Sequence, residues 1–306
     1  MSSIAVLLCT FNGARFLPLQ LSSYEAQDFR DWRVVASDDG STDDTLGVLA
    51  RFAERLGPSR LEVRNGPRGG FVANFLSLAC DPSIQADLYA FSDQDDVWES
   101  DKLSRAVARI AAVPAHEPAL YCSRTRLIDD DDRACGFSPL FRRPPSFRNA
   151  LVQSIAGGNT MVFNEAARAL LLACGPQVEV PSHDWWCYLL TTAVGGHVFY
   201  DPHPAVRYRL HAENIVGSNV GFMNHARRLN MISRRRFSHW MELNIAALAP
   251  FRPRMTEENR AVFDMFRAAR QRGSLGRLLA LRRAGVYRQT ALGNFGLMLA
   301  SVMGRV

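Results

Sequence analysis

The sequence predicts an α/β fold: a doubly wound, mostly parallel sheet flanked by helices, with a helical extension at the C-terminus. Two observations carry this. Largely apolar runs such as Ile4-Ala-Val-Leu-Leu-Cys9 and Trp32-Arg-Val-Val-Ala36 alternate with stretches whose apolar residues recur at helical spacing, the pattern of buried strands joined by crossover helices. Polar clusters at 10–13, 37–40 and 93–96 each follow such a run, and open sheets of this kind bind ligands beyond the carboxyl ends of their strands. The three clusters are therefore expected to converge on one crevice.

Taken in order, 4–9 is the first strand and 15–28 a helix, with Phe16, Leu17, Leu21 and Tyr24 near helical spacing. The second strand, 32–36, leads to a helix capped by Thr42 or Asp43, with Leu46, Leu49, Phe52 and Leu56 on one face. A third strand at 61–64 precedes the glycine-rich loop Asn65-Gly-Pro-Arg-Gly-Gly70 and a helix over 71–80. Leu88-Tyr-Ala-Phe91 is the fourth strand, followed by a helix near 99–113. Strands are expected at 119–123 and 157–163, a hairpin turn at 129–132, a loop over the site at 137–148, and helices at 165–174 and 183–194. Strand pattern returns near 197–200 and 206–211, and from Gly221 the pattern is helical.

Of the 306 residues, 47% are hydrophobic and 22% charged, enough apolar surface for a large core. Cys9, Cys80, Cys122, Cys135, Cys174 and Cys187 show no CxxC spacing, which argues against a zinc site or a secreted disulfide framework. The N-terminal stretch lacks a basic leader and runs straight into the first strand, so a cytoplasmic protein is expected. The net charge of +6 is unevenly spread: residues 221–306 carry 16 arginines against 4 acidic residues.

The chemistry centres on Tyr89-Ala-Phe-Ser-Asp-Gln-Asp-Asp-Val-Trp98, an apolar run that breaks into Asp93, Asp95 and Asp96. Carboxylates this close repel and are costly to bury, so the cluster implies a counter-charge. Mg²⁺ or Mn²⁺ would supply it, and such cations complete their shells with water and substrate phosphates, which points to a nucleotide diphosphate. A solvated Asp-rich turn capping the next helix is the other reading of these residues. The acidic turn Asp129–Asp132 reads as a solvated hairpin.

Thr10-Phe-Asn, Ser37-Asp-Asp-Gly-Ser-Thr-Asp43, Asp93-Gln-Asp-Asp-Val-Trp98, His183-Asp-Trp-Trp186 and Tyr208-Arg-Leu-His211 together resemble, in this order, a family 2 glycosyltransferase of GT-A (Rossmann-like) fold. Within that family they are similar to bacterial rhamnosyltransferase-like enzymes of surface-polysaccharide assembly. The resemblance covers roughly 3–216 and implies inverting transfer of a sugar, rhamnose among the candidates, from a dTDP- or UDP-linked donor with Mg²⁺ or Mn²⁺. It divides the chain into a glycosyltransferase domain at 1–216, with a nucleotide-sugar half to about 115 and an acceptor half beyond, and a basic helical region at 217–306.

Residue by residue, Asp38 and Asp39 would accept hydrogen bonds from a pyrimidine N–H or ribose hydroxyls, or else serve turn chemistry and capping. Thr10 and Asn12 would complete the base pocket. Gly69 and Gly70 admit close backbone approach, Asn74 would face the nucleoside, and Arg68 would meet a phosphate or lie solvated on the surface. Asp95 matches the family's Asp-x-Asp as a direct metal ligand, with Asp93 on the ribose or a metal-bound water, Asp96 in support and His211 close to the cation. Trp98 reads as core. Asp184 matches the family's general base, which an alcohol nucleophile needs, although an Asp here also caps a helix. Trp185 and Trp186 would desolvate it and offer flat faces to a sugar. Arg207, Arg209 and His211 alternate along a strand and share one side, for the diphosphate or for surface ion pairs. Gly157, Gly158 and Asn159 would floor the donor sugar, Gly158 standing where relatives often carry a bulkier residue.

The arginine-rich C-terminal region fits an anionic membrane surface, each basic residue contributing about 1 kcal/mol. It would present a saccharide acceptor, free or lipid-linked, at the cytoplasmic face; solubility or oligomer contacts are the plainer uses of such charge. No recognition motif accompanies it that would indicate nucleic acid. Two rival functions use the same architecture. A nucleotidyltransferase would need a phosphate loop near the N-terminus, for which Thr10-Phe-Asn-Gly-Ala-Arg15 is a poor substitute; a non-catalytic nucleotide-sugar-binding component would have no use for Asp184.

Overall fold

The computed structural model describes residues 2–57, 59–210 and 236–305. Strands β1 (Ile4–Thr10), β2 (Trp32–Asp38), β3 (Leu61–Asn65) and β4 (Leu88–Ser92) alternate with helices α1 (Leu17–Glu25), α2 (Thr45–Leu56) and α3 (Phe71–Ala79). All seven residues of β1 are buried, as a central strand covered on both faces requires. Strand β5 (Val97–Trp98) precedes α4 (Lys102–Ile110), three residues later than Glu99, where the sequence suggested the helix begins. Then follow β6 (Ala119–Ile128), β7 (Ala134–Phe137), the short α5 (Phe147–Ala150), β8 (Val162–Asn164), α6 (Glu165–Cys174), α7 (His183–Ala193) and β9 (His197–Arg209).

The sheet order is β3-β2-β1-β4-β8-β6-β9-β5, with β7 on β6. Pairing is parallel from β3 to β4 and mixed beyond: β8 runs antiparallel to both β4 and β6, whereas β6 and β9 are parallel. This places the ends of β1, β2 and β4 side by side, with Thr10 in register with Asp38 and Leu8 with Ser92.

Three local expectations are corrected. Residues 157–163 are not one strand: a 3₁₀ turn, Gly158–Thr160, comes first, and only Val162–Asn164 pairs. The runs near 197–200 and 206–209 form one strand, its register with β6 shifting around Arg124 and carrying it past Pro202 and Pro204. Asp44, not Thr42 or Asp43, stands at the cap position before α2, although it is the Asp43 carboxylate that accepts from the Thr45 N–H, at 3.0 Å.

Past the undescribed stretch, α8 (Arg236–Leu248), α9 (Glu257–Arg270), α10 (Ser274–Ala284) and α11 (Ala291–Val302) complete the described chain. They are not detached from the sheet. A single apolar cluster runs from Phe91 and Phe163 through Trp186 and Leu190 to Met241, Phe263, Leu281 and Leu297. A second fills the other face, around Leu8, Leu49, Trp98 and Leu103.

Candidate active site

The polar loops do converge, and side chains clamped onto backbone hold them together. Thr10 Oγ1 donates to Asp38 Oδ2 at 2.9 Å, and Asp38 Oδ1 accepts the Gly40 and Ser41 N–H groups at 3.1 and 2.8 Å. Asp39 reaches the glycine-rich loop, accepting from the N–H of Arg68 at 2.6 Å and of Gly70 at 2.8 Å. Gly66 is required beneath it: a Cβ there would lie 2.9 Å from Asp39 Oδ1 and 2.8 Å from Asn74 Oδ1. Asn12, in the left-handed region at φ 49°, accepts the Thr42 N–H at 2.8 Å. Asn74 is buried, and both ends of its amide lie on Ser37, so it braces α3 against β2 and does not face a nucleoside. Arg68 lies against Gly40, its Nε 3.1 Å from where a Cβ would stand.

Gln94, which the motif reading passed over, joins the first loop to the acidic one. Its amide accepts the Phe11 N–H at 2.8 Å and donates to the Phe11 carbonyl at 2.9 Å, as a neighbouring strand would. A Cβ on Gly13 would fall 2.1 Å from Gln94 Oε1, so the two residues need each other. The signal was present as the polar residue between the two aspartates.

Burial and mutual repulsion dominate the acidic loop. Burial first, then Asp96, Asp95 and Asp184, hold the Asp93 carboxyl well above the usual carboxylate range. Asp96 is fully buried; burial and Asp95 push it up to about 7, while Asn159 Nδ2 donates to its Oδ2 and the Arg209 N–H to its Oδ1 at 3.2 Å. Lys102, which the sequence gave no reason to place inside, is buried with Nζ 3.2 Å from the centre of the Trp98 ring. Burial drives its ammonium well below the usual lysine range against the pull of Asp96 and Asp93. Trp98 is core, edge-on to Tyr24 at 4.8 Å.

Asp184 is the second residue of α7. Its Oδ2 accepts the Gly158 N–H at 3.1 Å and its Oδ1 the Trp185 N–H at 2.6 Å, so part of its role is capping. Burial, followed by Asp96, Asp93, Asp95 and Asp184, raises the Tyr208 hydroxyl well above the usual tyrosine range. Trp185 and Trp186 offer no sugar platform: both are buried, Trp185 donating from Nε1 to the Ala150 carbonyl at 2.6 Å and Trp186 packing edge-on to Phe251. Helical periodicity turns these positions inward once Asp184 faces the crevice.

His183 is buried against Phe75, the rings stacked at 3.9 Å, with Phe91 edge-on at 4.7 Å. Neither ring nitrogen finds a partner among the described residues, and burial lowers its pKa to about 4. Gly158 fits this ring: a Cβ there would stand 2.3 Å from His183 Nε2.

Arg209 is buried and braces the loops instead of lying open to a diphosphate. Its guanidinium donates to the carbonyls of Asp95 and Asp129 at 3.0 and 2.9 Å and pairs with Asp132, in the turn read as merely solvated. Arg207, two residues back on the same strand, meets a different partner: it is bidentate on Glu99 at 2.9 Å, the surface ion pair that was the other reading of this residue. His211 lies outside the described residues, as do the arginines at 227–228 and 234–235. Among the described residues no three metal-binding side chains form a ready cluster. The charge nevertheless suits a cation: Asp96, Asp95 and Asp184 all repel the Asp93 carboxylate, and the buried Lys102 ammonium offsets only Asp96 and Asp93.

The sequence model of Glycosyl transferase family 2 matches residues 5–170. A dTDP-rhamnosyl transferase, RfbG, of Shigella flexneri is 26% identical over 234 residues, covering 74% of this chain and 78% of that protein. Among solved structures, the mannosyltransferase PcManGT of Pyrobaculum calidifontis, in complex with GDP-Man and Mn²⁺, superposes with a TM-score of 0.55 at 17% identity, over 99% of this chain and 86% of its own. TarS 1–349 of S. aureus, in complex with UDP-GlcNAc, gives a TM-score of 0.54 at 17% identity, over 92% and 90%.

Proposed function

Because the chain belongs to glycosyl transferase family 2 and is a glycosyltransferase, we propose that it transfers a sugar, rhamnose first among candidates, from a dTDP- or UDP-linked donor to a saccharide acceptor with inversion. The Shigella relative's name supports the donor class. The observation that carries the reading is the turn at Gly158 and Asn159. One residue holds Asp184 through its N–H and the next holds Asp96 through its amide, so acceptor chemistry and donor charge share one rigid element.

Asp184 accepts the acceptor hydroxyl's proton as that oxygen bonds to the anomeric carbon and the bond to the diphosphate breaks. Thr10, Asn12, Asp38, Asp39 and Gly70 form the nucleoside end, Asp39 tying its glycine-rich loop in place. Asp95 and Asp93 hold the Mg²⁺ or Mn²⁺, with His211 as a further ligand. When bound, the cation stabilises charge on the leaving diphosphate. Asn159 and Gly158 hold the carboxylates below the sugar, and Arg209 and Lys102 keep the acidic loop folded. A domain at 1–216 then carries the chemistry, and the basic region beyond it meets anionic lipid at the cytoplasmic face, where a lipid-linked acceptor is presented.

Calorimetric titration with UDP and dTDP, with and without Mn²⁺, tests the donor side. Cation-dependent binding of one nucleotide, lost in Asp95→Ala, is expected. Binding of either one with no cation dependence would remove Asp95 and Asp93 as metal ligands.

A further inference from the structure

Among the described residues, a strongly apolar surface that the site does not use lies on α11. Leu292, Phe295, Leu299 and Val302 recur at three- and four-residue intervals, one face of a helix. All four are exposed, Phe295 at 61% and Leu292 at 59%, while Leu297, Ala300 and Ser301 turn inward. Met298 and Met303 widen the open face. On the preceding helix, α10, Leu275 is 70% exposed and Leu279 49%. No residue of 291–303 is charged, so α11 lacks the polar face that a helix bordering water should show.

The charge around this face selects its occupant. Residues 265–306 contain eight arginines and no acidic residue, and Arg272, Arg282 and Arg283 are exposed. A second copy of the chain would bring the same basic surface to a self-complementary contact, like charge against like. An anionic lipid surface offers apolar depth and opposite charge together. At twelve residues, or about 18 Å, α11 is too short to cross a bilayer, and no described helix is long and apolar enough to do so. Lying in the plane of the interface is the geometry left to it.

We propose that α11 inserts its Leu292–Phe295–Leu299–Val302 face into an anionic membrane, with the arginines of α10 on the headgroups. This deepens, and rests on, the reading of the basic region as membrane-facing, which electrostatics alone would satisfy. The placement serves the acceptor side. Arg288 donates to the Val152 carbonyl at 3.1 Å and the Gln289 N–H to Gln153 at 2.8 Å, which docks the start of α11 beside α5. The α5 residue Ala150 in turn receives Trp185, the neighbour of Asp184.

The test is flotation of the full chain with vesicles of phosphatidylcholine alone or mixed with phosphatidylglycerol, at low and high salt and without nucleotide. Wild type is expected on the anionic vesicles, with part of the binding surviving high salt. Phe295→Ser/Leu299→Ser should weaken partitioning roughly tenfold or more, the loss of two inserted apolar side chains. The same variant should keep its melting temperature and its transfer to a soluble saccharide, since neither residue touches the site. Three results would overturn the insertion: no vesicle binding by wild type, binding by the variant equal to wild type, or a wild-type dimer that the variant dissociates. Binding that salt abolishes and the variant retains would leave electrostatic attachment standing without insertion. A chain that binds vesicles but transfers no sugar would instead refute the reading of the site.

Discussion

Two walls of the crevice are built by different physics. The loops at 10–14, 37–45, 66–70 and 93–96 are held by polar side chains on backbone: Gln94 on Phe11, Asp39 on Arg68 and Gly70, Asn12 on Thr42. The opposite wall, 157–160 with 183–186, is held by shape, the His183 ring wedged between Phe75 and Gly158 with neither nitrogen partnered among the described residues. Many modest hydrogen bonds share their load, so losing one is tolerated; a steric wedge has no spare parts. The shape-built wall should therefore be the more fragile.

Asp184→Asn should have the largest effect on activity, because it removes chemistry and leaves both walls standing. The amide oxygen can still accept the Gly158 N–H, while the proton acceptor is gone. Turnover should fall roughly 10²–10⁴-fold, the usual worth of a positioned base, with nucleotide affinity unchanged by calorimetry. A variant with wild-type turnover would remove Asp184 as the base.

The His183 wedge should be visible in the pH dependence of stability. Burial lowers its pKa to about 4, against about 6.5 unfolded. Between those values the unfolded chain binds the extra proton, so stability is full above about pH 6.5 and is lost as pH falls toward 4. The sensitivity amounts to about 3 kcal/mol at most, from 1.36 kcal/mol per unit. His183→Leu should flatten this acid limb in urea unfolding; an unchanged limb would show that other groups dominate it.

Gly158→Ala tests the same wedge from its other side. A methyl 2.3 Å from Nε2 must displace the ring or the turn, an overpacking cost of about 1–3 kcal/mol. Combining it with His183→Ala should recover part of that loss, whereas additivity in the double-mutant cycle would place the strain elsewhere.

The sequence made the first wall easier to read than the second. Apolar runs and their polar ends placed β1, β2 and β4 and brought Asp38, Asp39 and Asp93 to one edge, because strand burial and sheet topology follow from local pattern. Motif and spacing point Asn74, Arg209, Trp185 and Trp186 toward a ligand, whereas in the fold they brace or fill the interior. Sequence spacing gives the face of a helix or strand but not which neighbouring element covers it. Lys102 was invisible for a related reason: a lysine in the first turn of a helix reads as solvated unless Asp96, Asp93 and the Trp98 ring are known to surround it. The match of Gly158 to His183 joins residues twenty-five apart in sequence through a contact of shape, and no periodicity announces that.

The smallest effect should come from the polar wall, in Gln94→Ala. The variant loses two hydrogen bonds to Phe11, each contributing about 0.5–1.5 kcal/mol, and the lower end applies because Phe11 is exposed and water can replace the lost partners. Asn12 still holds the first loop, accepting the Thr42 N–H and donating its own N–H to Ser41 Oγ at 2.8 Å, so the chain should unfold within about 1 kcal/mol of wild type. The donor side alone should register the change, as a few-fold weaker nucleotide affinity at unaltered turnover, because Gln94 fixes the first loop relative to Asp93 and Asp95. A fall in turnover matching that of Gly158→Ala would mean that the polar wall is as brittle as the steric one, and the contrast between them would fail.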